Sequence, residues 1–318
     1  MTTNLQPYTP APLASPLDRA AQLVEETTPK NTRRAYAADW AHFSTWCASR
    51  ALQALPASLE TVIAYLLDCA EQFKLATVER RLTSIGKAHR LDQQPDPTKT
   101  EQIHLVMKGI RRKLGRAQRQ ATPATLEPLR LMIEQLGSGP HATRDRAILL
   151  LGFAGAFRRS ELVALDVGDV QFTNAGAVIT VRHSKTDQEG AGVTKGIPYG
   201  LFPATCPVRA LQAWLGAAQI TGGPILRPID RHGNISIQRL SDHAIAKVIK
   251  RAAAAAGLDA SAFSGHSLRS GLATAAAAAG ASERAIMKQT GHKSERMVRR
   301  YIRSGELFKD NAAGVVGL

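Results

Sequence analysis

The stretch that decides the fold of this chain reads Phe263-Ser-Gly-His-Ser-Leu-Arg-Ser-Gly271, followed by an alanine-rich run, Gly291-His-Lys-Ser294 and Val298-Arg-Arg-Tyr-Ile-Arg303. His266 and Arg269 are three residues apart, which places both side chains on one face if the stretch is helical. Tyr301 follows His292 by nine residues. Two imidazoles, a guanidinium and a phenol are groups that can bind and attack a phosphate ester. The rest of the chain is therefore interpreted as the part that brings such a substrate to them.

The whole chain is strongly basic. Its 318 residues include 41 Lys and Arg against 26 Asp and Glu, which gives a formal net charge of +15. Such an excess predicts a polyanionic partner, with nucleic acid first and an acidic membrane surface second. The apolar runs Ala147–Phe157 and Gly271–Ala281 are far shorter than the ~20 residues that a membrane-spanning helix needs, so no membrane segment is predicted.

Cysteine usage indicates a reducing compartment. The three cysteines, Cys47, Cys69 and Cys206, are widely spaced, which excludes a disulfide framework and a CxxC metal pair. The N-terminus has no basic segment followed by an apolar core, so no signal peptide is predicted. A cytoplasmic location is expected.

The first third of the chain predicts a small all-α domain. Residues 1–16 contain four prolines and little periodic apolar content, which is typical of a flexible tail. Residues 17–114 are expected to form the domain, because apolar side chains recur there at helical spacing. The predicted helices are Asn31–Ser49, Ser58–Glu71, Thr77–Arg90 and Thr98–Leu114. In the third helix, Arg80, Arg81, Thr83 and Lys87 are expected to lie off the apolar face.

A basic segment follows this domain. Lys108–Gln120 holds six Lys and Arg, and no acid occurs between Glu101 and Glu127. Residues 115–124 are interpreted as a basic linker between two domains. A run of charge is usually a solvated face, but here the run lies at a domain boundary of a basic protein. We therefore expect contact with the DNA backbone, including contacts from Arg111 and Arg112.

Residues 125–318 predict a second domain that is mainly helical and contains one small antiparallel sheet. The predicted helices are Leu126–Leu136, Ala142–Phe157, Glu161–Leu165, Pro207–Ala217 and Arg239–Ala256, followed by the helices of the opening stretch. The predicted strands are Val170–Thr173, Ala177–His183 and Gly196–Leu201, with Ser184–Lys195 as a polar hairpin loop, and Ile225–Gly233 is expected to hold a further strand and a turn. The fold class is therefore mainly α, with an all-α bundle and an α+β domain.

Two further groups could carry chemistry. Arg158 stands at the end of a buried helix with Glu161 three residues later, and this carboxylate could hold the guanidinium as a fork for two phosphate oxygens. A purely structural ion pair is an equally good reading of that motif alone. Lys185 stands at the tip of a strand, where an exposed lysine is usually only solubilising.

Cofactors are not expected. His266-Ser-Leu-Arg269 lacks the carboxylate or cysteine that would complete a metal site, and Arg269 would repel a cation. The chain also has no G-x-x-x-x-G-K-[ST] phosphate loop and no dinucleotide fingerprint. Chemistry driven by ATP is therefore not predicted.

Taken together, these residues resemble the active site of the tyrosine recombinase (phage integrase) family. The resemblance covers almost the whole chain and lies nearest to the Cre-like site-specific recombinases, although that group has tryptophan at the position of His292. It implies a helical core-binding (SAM-like) bundle and a catalytic domain of the DNA breaking-rejoining fold. The matching positions are Arg158, Lys185, His266, Arg269, His292 and Tyr301.

The resemblance implies that Tyr301 attacks a phosphodiester and forms a 3′-phosphotyrosine bond. Arg158, Arg269 and His292 would bind the phosphate, and His266 would accept the proton of the tyrosine. Lys185 would protonate the 5′-oxygen, and Glu161 would orient Arg158 or His266. Neither ATP nor metal is implied, because the protein–DNA bond conserves the energy of the broken bond.

The resemblance also implies the partners. These are double-stranded DNA with inverted-repeat core sites and three further copies of the chain, with segment 305–318 docking on a neighbouring subunit of a tetramer. By position, the expected DNA contacts are Thr32, Arg33, Arg34, Thr77, Arg80 and Arg81, joined by Lys87 in the first domain and by Arg231 and His243 in the second. A type IB topoisomerase, a hairpin telomere resolvase and a DNA-binding regulator without catalysis remain as alternatives.

Overall fold

The computed structural model describes residues 28, 30–115, 120–182, 192–292, 294–296, 298, 299, 301 and 316. The predicted tail 1–16, Lys185 and segment 305–318, apart from Val316, lie outside these residues. The chain divides into two compact units, Met1–Arg119 and Gln120–Leu318. The first unit contains α1 (Lys30–Ala48), α2 (Leu59–Gln72), α3 (Leu75–Leu91), a 3-10 turn (Pro97–Lys99) and α4 (Glu101–Leu114).

Helix caps and an aromatic core define the first unit. Ser58 caps α2 by accepting a hydrogen bond from the Thr61 amide, as the sequence predicts. Phe43 and Tyr65 are fully buried, and their ring centroids lie 4.8 Å apart in an edge-to-face arrangement. The predicted start of the fourth helix at Thr98 is wrong. Thr98 lies instead in the 3-10 turn Pro97–Lys99. The helix α4 begins at Glu101, and Thr100 is its N-cap.

The prediction that Arg81 lies off the apolar face of α3 is also wrong. Only 7% of Arg81 is exposed. Its guanidinium lies 3.9 Å from the centroid of the Phe73 ring, donates to Cys69 Sγ at 3.2 Å and faces the buried Asp39 carboxylate at 3.7 Å. The carboxylate and the aromatic face together compensate for the buried charge, which is why an arginine is accommodated inside the bundle.

The second unit combines helices with a three-stranded sheet. Its helices are α5 (Leu126–Glu134), α6 (Pro140–Ala154), α7 (Arg159–Ala164), α8 (Pro207–Ala217), α9 (Asp242–Ala255), α10 (Ser267–Ala278) and α11 (Glu283–Thr290). Its strands are β1 (Val170–Thr173), β2 (Gly176–Val181) and β3 (Val193–Pro198). The sheet is antiparallel in the order β1-β2-β3. This mainly helical architecture with one small antiparallel sheet confirms the predicted fold class.

The third strand begins earlier than predicted. The sequence places Lys195 in a loop and starts the strand at Gly196, whereas β3 starts at Val193 and pairs Lys195 with Ile179. Lys195 and Ile197 both point into the unit, with 4% and 1% of their surfaces exposed. The sequence does not show the apolar–polar alternation that is typical of a strand, because a lysine occupies one of the inward positions of β3.

The core of the second unit is built around α6. Ten of its residues, among them Ile148 and Leu151, are buried. Trp214 of α8 is fully buried as well, and its indole N–H donates to the Ile225 carbonyl at 2.7 Å. Among the described residues, no helix is long and apolar enough to cross a membrane.

The segment that enters the second unit is fastened to the helix that carries Arg269. The Thr122 amide donates to the Ala262 carbonyl at 2.8 Å, and the Ala124 amide donates to the Ser267 carbonyl at 2.9 Å. Gly271 makes this close approach possible, because a Cβ atom there would lie 2.0 Å from the Ala124 carbonyl oxygen. Residues 122–124 therefore pack directly on α10.

Candidate active site

Arg158 is held by a tight turn between α6 and α7. Ala156 adopts a left-handed conformation with φ of 46°, which is strained for a residue with a side chain. A Cβ atom on Gly155 would lie 2.0 Å from the Phe157 ring, so glycine is required there. Beyond this turn, Glu161 accepts a hydrogen bond from the Arg158 amide at 2.9 Å and a second from its guanidinium. The buried carboxylate therefore fixes both the backbone and the side chain of Arg158.

Arg269 of α10 is almost completely buried, with 1% of its surface exposed. Its Nη1 donates to the Ala156 carbonyl at 2.8 Å. Its Nε and Nη2 have no hydrogen-bond partner among the described residues. Burial lowers the pKa of Arg269 to about 10, and the charge of Arg158 acts in the same direction. A buried guanidinium with two unused donors can bind an anion.

His266 and Tyr301 form a hydrogen-bonded pair. His266 Nε2 lies 2.9 Å from the Tyr301 hydroxyl, although the two residues are 35 positions apart. Although His266 keeps an exposed edge, desolvation by the surrounding protein and the charges of Arg269 and Arg158 lower its pKa. The ring is therefore neutral near pH 7, and a neutral imidazole nitrogen can accept the phenolic proton.

His292 is placed by the end of α11. Gly291 ends this helix in the left-handed conformation, with φ of 67°, a common glycine cap. His292 Nδ1 lies 2.8 Å from the Thr290 hydroxyl, and its ring centroid lies 5.7 Å from that of Tyr301. Burial and the charges of Arg269, Arg158, His266 and Lys195 lower the pKa of His292 to about 4.

Thr290 also determines the tautomer of His292. The single hydroxyl proton of Thr290 is directed to the Ile286 carbonyl at 2.7 Å. The hydroxyl oxygen must therefore accept a hydrogen bond from His292 Nδ1, which carries the proton. Nε2 of neutral His292 then presents a lone pair, and this atom becomes a donor only when the ring is protonated.

Five of the predicted catalytic side chains are thus brought together, and Glu161 supports one of them. These five are Arg158, His266, Arg269, His292 and Tyr301. Glu161 contacts Arg158, and no contact between Glu161 and His266 occurs in the described part of the chain. The arrangement concentrates positive charge around a phenol that is paired with a proton acceptor. Such a site can bind a phosphodiester and attack it.

Sequence reasoning missed Lys195. Its Nζ donates to the Gly155 carbonyl at 2.7 Å and to the Gln289 carbonyl at 2.8 Å. Burial lowers the pKa of Lys195 to about 8, with Glu161 opposing the shift and the Arg269 and Arg158 charges adding to it. The available signal was its position two residues before Ile197, on the inward side of a strand.

The predicted DNA contacts of the first unit differ in their surroundings. Arg33, Arg34 and Lys87 line a common cavity of about 750 Å³ at the start of α1 and along α3. Arg80 is half exposed but forms two hydrogen bonds with the buried Asp39, at 2.6 and 2.9 Å. Arg81 is buried, with 7% of its surface exposed, so a DNA contact from this residue is not favoured.

The remaining predicted contacts lie at accessible positions. Arg111 is part-buried against Glu79, whose carboxylate accepts from its Nε at 2.8 Å, and Arg112 is exposed. In the second unit, Arg231 and His243 are both exposed. The last two candidates, Thr32 and Thr77, are half-buried.

The described ranges contain no group of three or more His, Cys, Asp or Glu side chains arranged to hold a metal ion. The imidazoles of the candidate site have arginines as neighbours, and guanidinium groups repel a cation. The donor set therefore suits an anion.

The chain is similar to several known proteins. The model of the Phage integrase family matches residues 122–306. An integrase/recombinase xerD homolog of Selenomonas ruminantium is 44% identical over 298 residues, which is 92% of this chain and 87% of that protein. Recombinase cre of Escherichia phage P1 is 25% identical over 283 residues, or 82% and 80% of the two chains. A lambda integrase tetramer bound to a Holliday junction has a TM-score of 0.60 at 17% identity, over 88% and 76% of the chains.

Proposed function

Because this chain belongs to the phage integrase family of tyrosine recombinases, we propose that it cuts and rejoins DNA at specific sites through a 3′-phosphotyrosine bond to Tyr301. The observation that carries the proposal is the 2.9 Å contact between His266 Nε2 and the Tyr301 hydroxyl. It pairs a nucleophile with a proton acceptor beside two buried or half-buried arginines. A nucleophile, a proton acceptor and cations beside them are the groups that attack on a phosphodiester requires.

The two arginines bind the scissile phosphate. Arg269 offers Nε and Nη2, which have no other partner among the described residues, and Arg158 offers the guanidinium edge that Glu161 does not use. Both nonbridging oxygens gain negative charge as the phosphorus becomes pentavalent. Donors that are already in place stabilise this charge without reorganisation, and removing one such donor typically costs about 10²–10³-fold in rate.

Attack then transfers one proton and exchanges one bond. The Tyr301 oxygen bonds to phosphorus as the bond from phosphorus to the 5′-oxygen breaks, and the phenolic proton passes to His266. A free phenol has a pKa of about 10, so it needs both the acceptor and the nearby cations to react at neutral pH.

His292 binds a nonbridging oxygen in its protonated form. With Nδ1 committed to Thr290, only Nε2 faces outward, and it donates only when the ring is charged. Its pKa of about 4 without DNA rises when a phosphate enters, because a nearby anion favours the imidazolium. This role therefore requires the bound phosphate to offset the burial and the positive charges that lower the pKa of His292.

Lys185 donates a proton to the departing 5′-oxygen. This role comes from the position of Lys185 in the family motif, since the residue lies outside the described ranges. The 3′-phosphotyrosine bond conserves the energy of the broken phosphodiester. A 5′-hydroxyl from a partner strand reverses the step and completes strand exchange, so the reaction needs neither ATP nor metal.

Each unit contributes contacts to duplex DNA. Arg33, Arg34 and Lys87 line one accessible cavity in the first unit, and Arg231 and His243 are exposed in the second. Contacts of this kind neutralise backbone phosphates and make binding weaken steeply with salt. The expected sites are inverted repeats, one half-site for each protomer.

The active assembly is a tetramer linked through the C-terminal segment. The second unit contains an apolar groove of about 470 Å³ lined by side chains of α5, α6, α10 and α11, including Leu129, Phe153, Leu272 and Ile286. Segment 305–318 holds five apolar residues: Leu307, Phe308, Val315, Val316 and Leu318. We assign the groove to this segment of a neighbouring copy. Burial of apolar surface on both sides stabilises the contact.

Covalent trapping tests the proposed function. The purified protein first selects its binding site from a pool of random-sequence DNA. The substrate is then a suicide duplex that contains this site. Wild-type protein should form an adduct that survives a denaturing gel, and Tyr301→Phe should bind the same DNA without forming it. An adduct with Tyr301→Phe would show that the nucleophile is wrongly assigned. Relaxation of supercoiled plasmids without any specific site would favour a topoisomerase.

A further inference from the structure

Burial of the charged Lys195 side chain in β3 is energetically unfavourable unless other groups compensate for the charge. A buried ammonium loses its hydration and must be compensated by protein groups. Its Nζ is compensated by two backbone carbonyls, those of Gly155 at 2.7 Å and Gln289 at 2.8 Å. The face of the Phe157 ring adds a cation–π contact at 4.8 Å. A methionine or leucine would fill the same inward position without burying a charge. Packing alone therefore does not explain the ammonium.

The two carbonyls stand at the ends of two helices. Gly155 is the residue that ends α6, and Gln289 lies in the last turn of α11. The last carbonyls of a helix have no partner within it and carry partial negative charge, so a cation is favoured there. One ammonium therefore joins the C-terminal ends of α6 and α11.

The Gln289 side chain completes the same connection. Its Nε2 donates to the Ala154 carbonyl at 2.7 Å and, more weakly, to the Gly196 carbonyl at 3.5 Å. Gln289 thus accepts from Lys195 through its backbone and donates to α6 and β3 through its side chain. We call this set of hydrogen bonds the Lys195–Gln289 bridge.

The bridge lies next to the residues that bind the phosphate. Arg158 follows Gly155 by three residues, and His292 follows Gln289 by three. Two groups from distant parts of the chain, a guanidinium and an imidazole, therefore follow directly on segments that this bridge connects.

We propose that Lys195 and Gln289 are positioning residues for DNA cleavage, and that their bridge holds the Arg158 turn and the His292 turn at the separation which one phosphate requires. The inference rests on the proposed cleavage through Tyr301. Lys195 does not touch the phosphate and does not give a proton to the leaving oxygen. Without the bridge, α11 and the turn after it are free to shift relative to Arg158, and a misplacement of about 1 Å can cost on the order of 10²-fold in rate.

Single-turnover cleavage of the suicide duplex tests the proposal. Lys195→Met, which keeps the unbranched side chain up to Cε but removes the donors, should cleave about 10²-fold more slowly while its Kd for the same DNA stays within about twofold of the wild-type value. Gln289→Met removes only the side-chain donors and should lose about tenfold. This variant carries the test if Lys195→Met does not fold. Lys250→Met, at an exposed position of α9, controls for the loss of one positive charge and should cleave like wild type.

A sulfur atom at the 5′-bridging position of the scissile phosphate separates positioning from proton donation. A thiolate leaves without protonation, because a thiol is far more acidic than an alcohol. The substitution should therefore restore Lys185→Ala but leave Lys195→Met slow. If the sulfur substrate restores Lys195→Met, Lys195 is a proton donor and the proposal is overturned.

Wild-type cleavage with unchanged Kd in both bridge variants would also overturn the proposal. The two levels of inference fail differently. If the wild-type protein itself gives no adduct, the proposed function is wrong. If only the bridge variants cleave normally, the cleavage assignment stands and the bridge alone is refuted.

Discussion

His292 is the residue whose charge depends most on the rest of the site. Its Nδ1 is hydrogen-bonded to Thr290 at 2.8 Å, and burial, followed by the surrounding positive charges, lowers its pKa to about 4. At neutral pH the ring is therefore uncharged. In the mechanism proposed above, a bound phosphate raises this pKa and favours the charged, donating form.

This low pKa predicts how folding stability depends on pH. The unfolded chain has an ordinary histidine pKa of about 6.5 and binds a proton more readily than the folded protein does. The contribution of His292 is therefore fully present above about pH 6.5 and is lost as the pH falls towards 4. His292→Gln should lose less stability than wild type between pH 7.5 and pH 5, measured as the urea midpoint.

His104→Gln is the matched control, because His104 is exposed on α4. It should lose stability with falling pH as wild type does. His266, whose pKa is lowered in the same direction, supplies a residual dependence in all three proteins. Equal losses in His292→Gln and wild type would contradict the assignment.

The sequence identifies residues of the site better than it identifies their contacts. His266, Arg269, His292 and Tyr301 come from one stretch, so their spacing alone predicts a shared site. Contacts such as that between Arg269 and the Ala156 carbonyl join positions more than a hundred residues apart, and no local pattern encodes them. The position of Arg81 is hidden for the same reason, because Asp39 lies on α1 and Phe73 lies in the connection after α2.

At the scale of elements, the sequence predicts the capped start of α2 and the limits of β1, but it does not predict the start of β3. Ser58 ahead of α2 marks a helix start through a side-chain hydrogen bond that sequence order reveals. The start of β3 depends instead on pairing with β2, which is a tertiary property. Lys195 and Gly196 also interrupt the apolar alternation, so the strand was recognised only from its second half.

The apolar groove of the second unit predicts the effect of removing segment 305–318. The shortened protein should still bind a single half-site but should not assemble a tetramer on two DNA sites, because the groove loses its occupant. Ala276→Arg, which places a charge in the groove lining, should give the same defect with the tail intact. Light scattering of the protein–DNA complexes measures both. Tetramers of normal stability in either variant would exclude the groove as the docking site.

For the whole molecule, the distribution of positive charge predicts the salt dependence of DNA binding. Arg34 and Lys87 line an accessible cavity, so Arg34→Ala and Lys87→Ala should each reduce the slope of log Kd against log salt by about one. Arg81→Met should leave the slope unchanged and lower the stability of the first unit, since Arg81 is buried against Asp39. Fluorescence anisotropy at several salt concentrations separates the cases. A reduced slope for Arg81→Met would mean that Arg81 reaches DNA.

The attachment of residues 122–124 to α10 has a mechanical consequence. Tension on the chain at residue 120 is transmitted to the amides of Thr122 and Ala124, which donate hydrogen bonds to the carbonyls of Ala262 and Ser267. Ser267 follows His266 and precedes Arg269 by two positions, and Gly271 keeps the helix pressed against the segment. Tension from the N-terminal side therefore acts on the backbone next to His266 and Arg269. If these residues have the roles proposed above, a small displacement there changes the rate of cleavage.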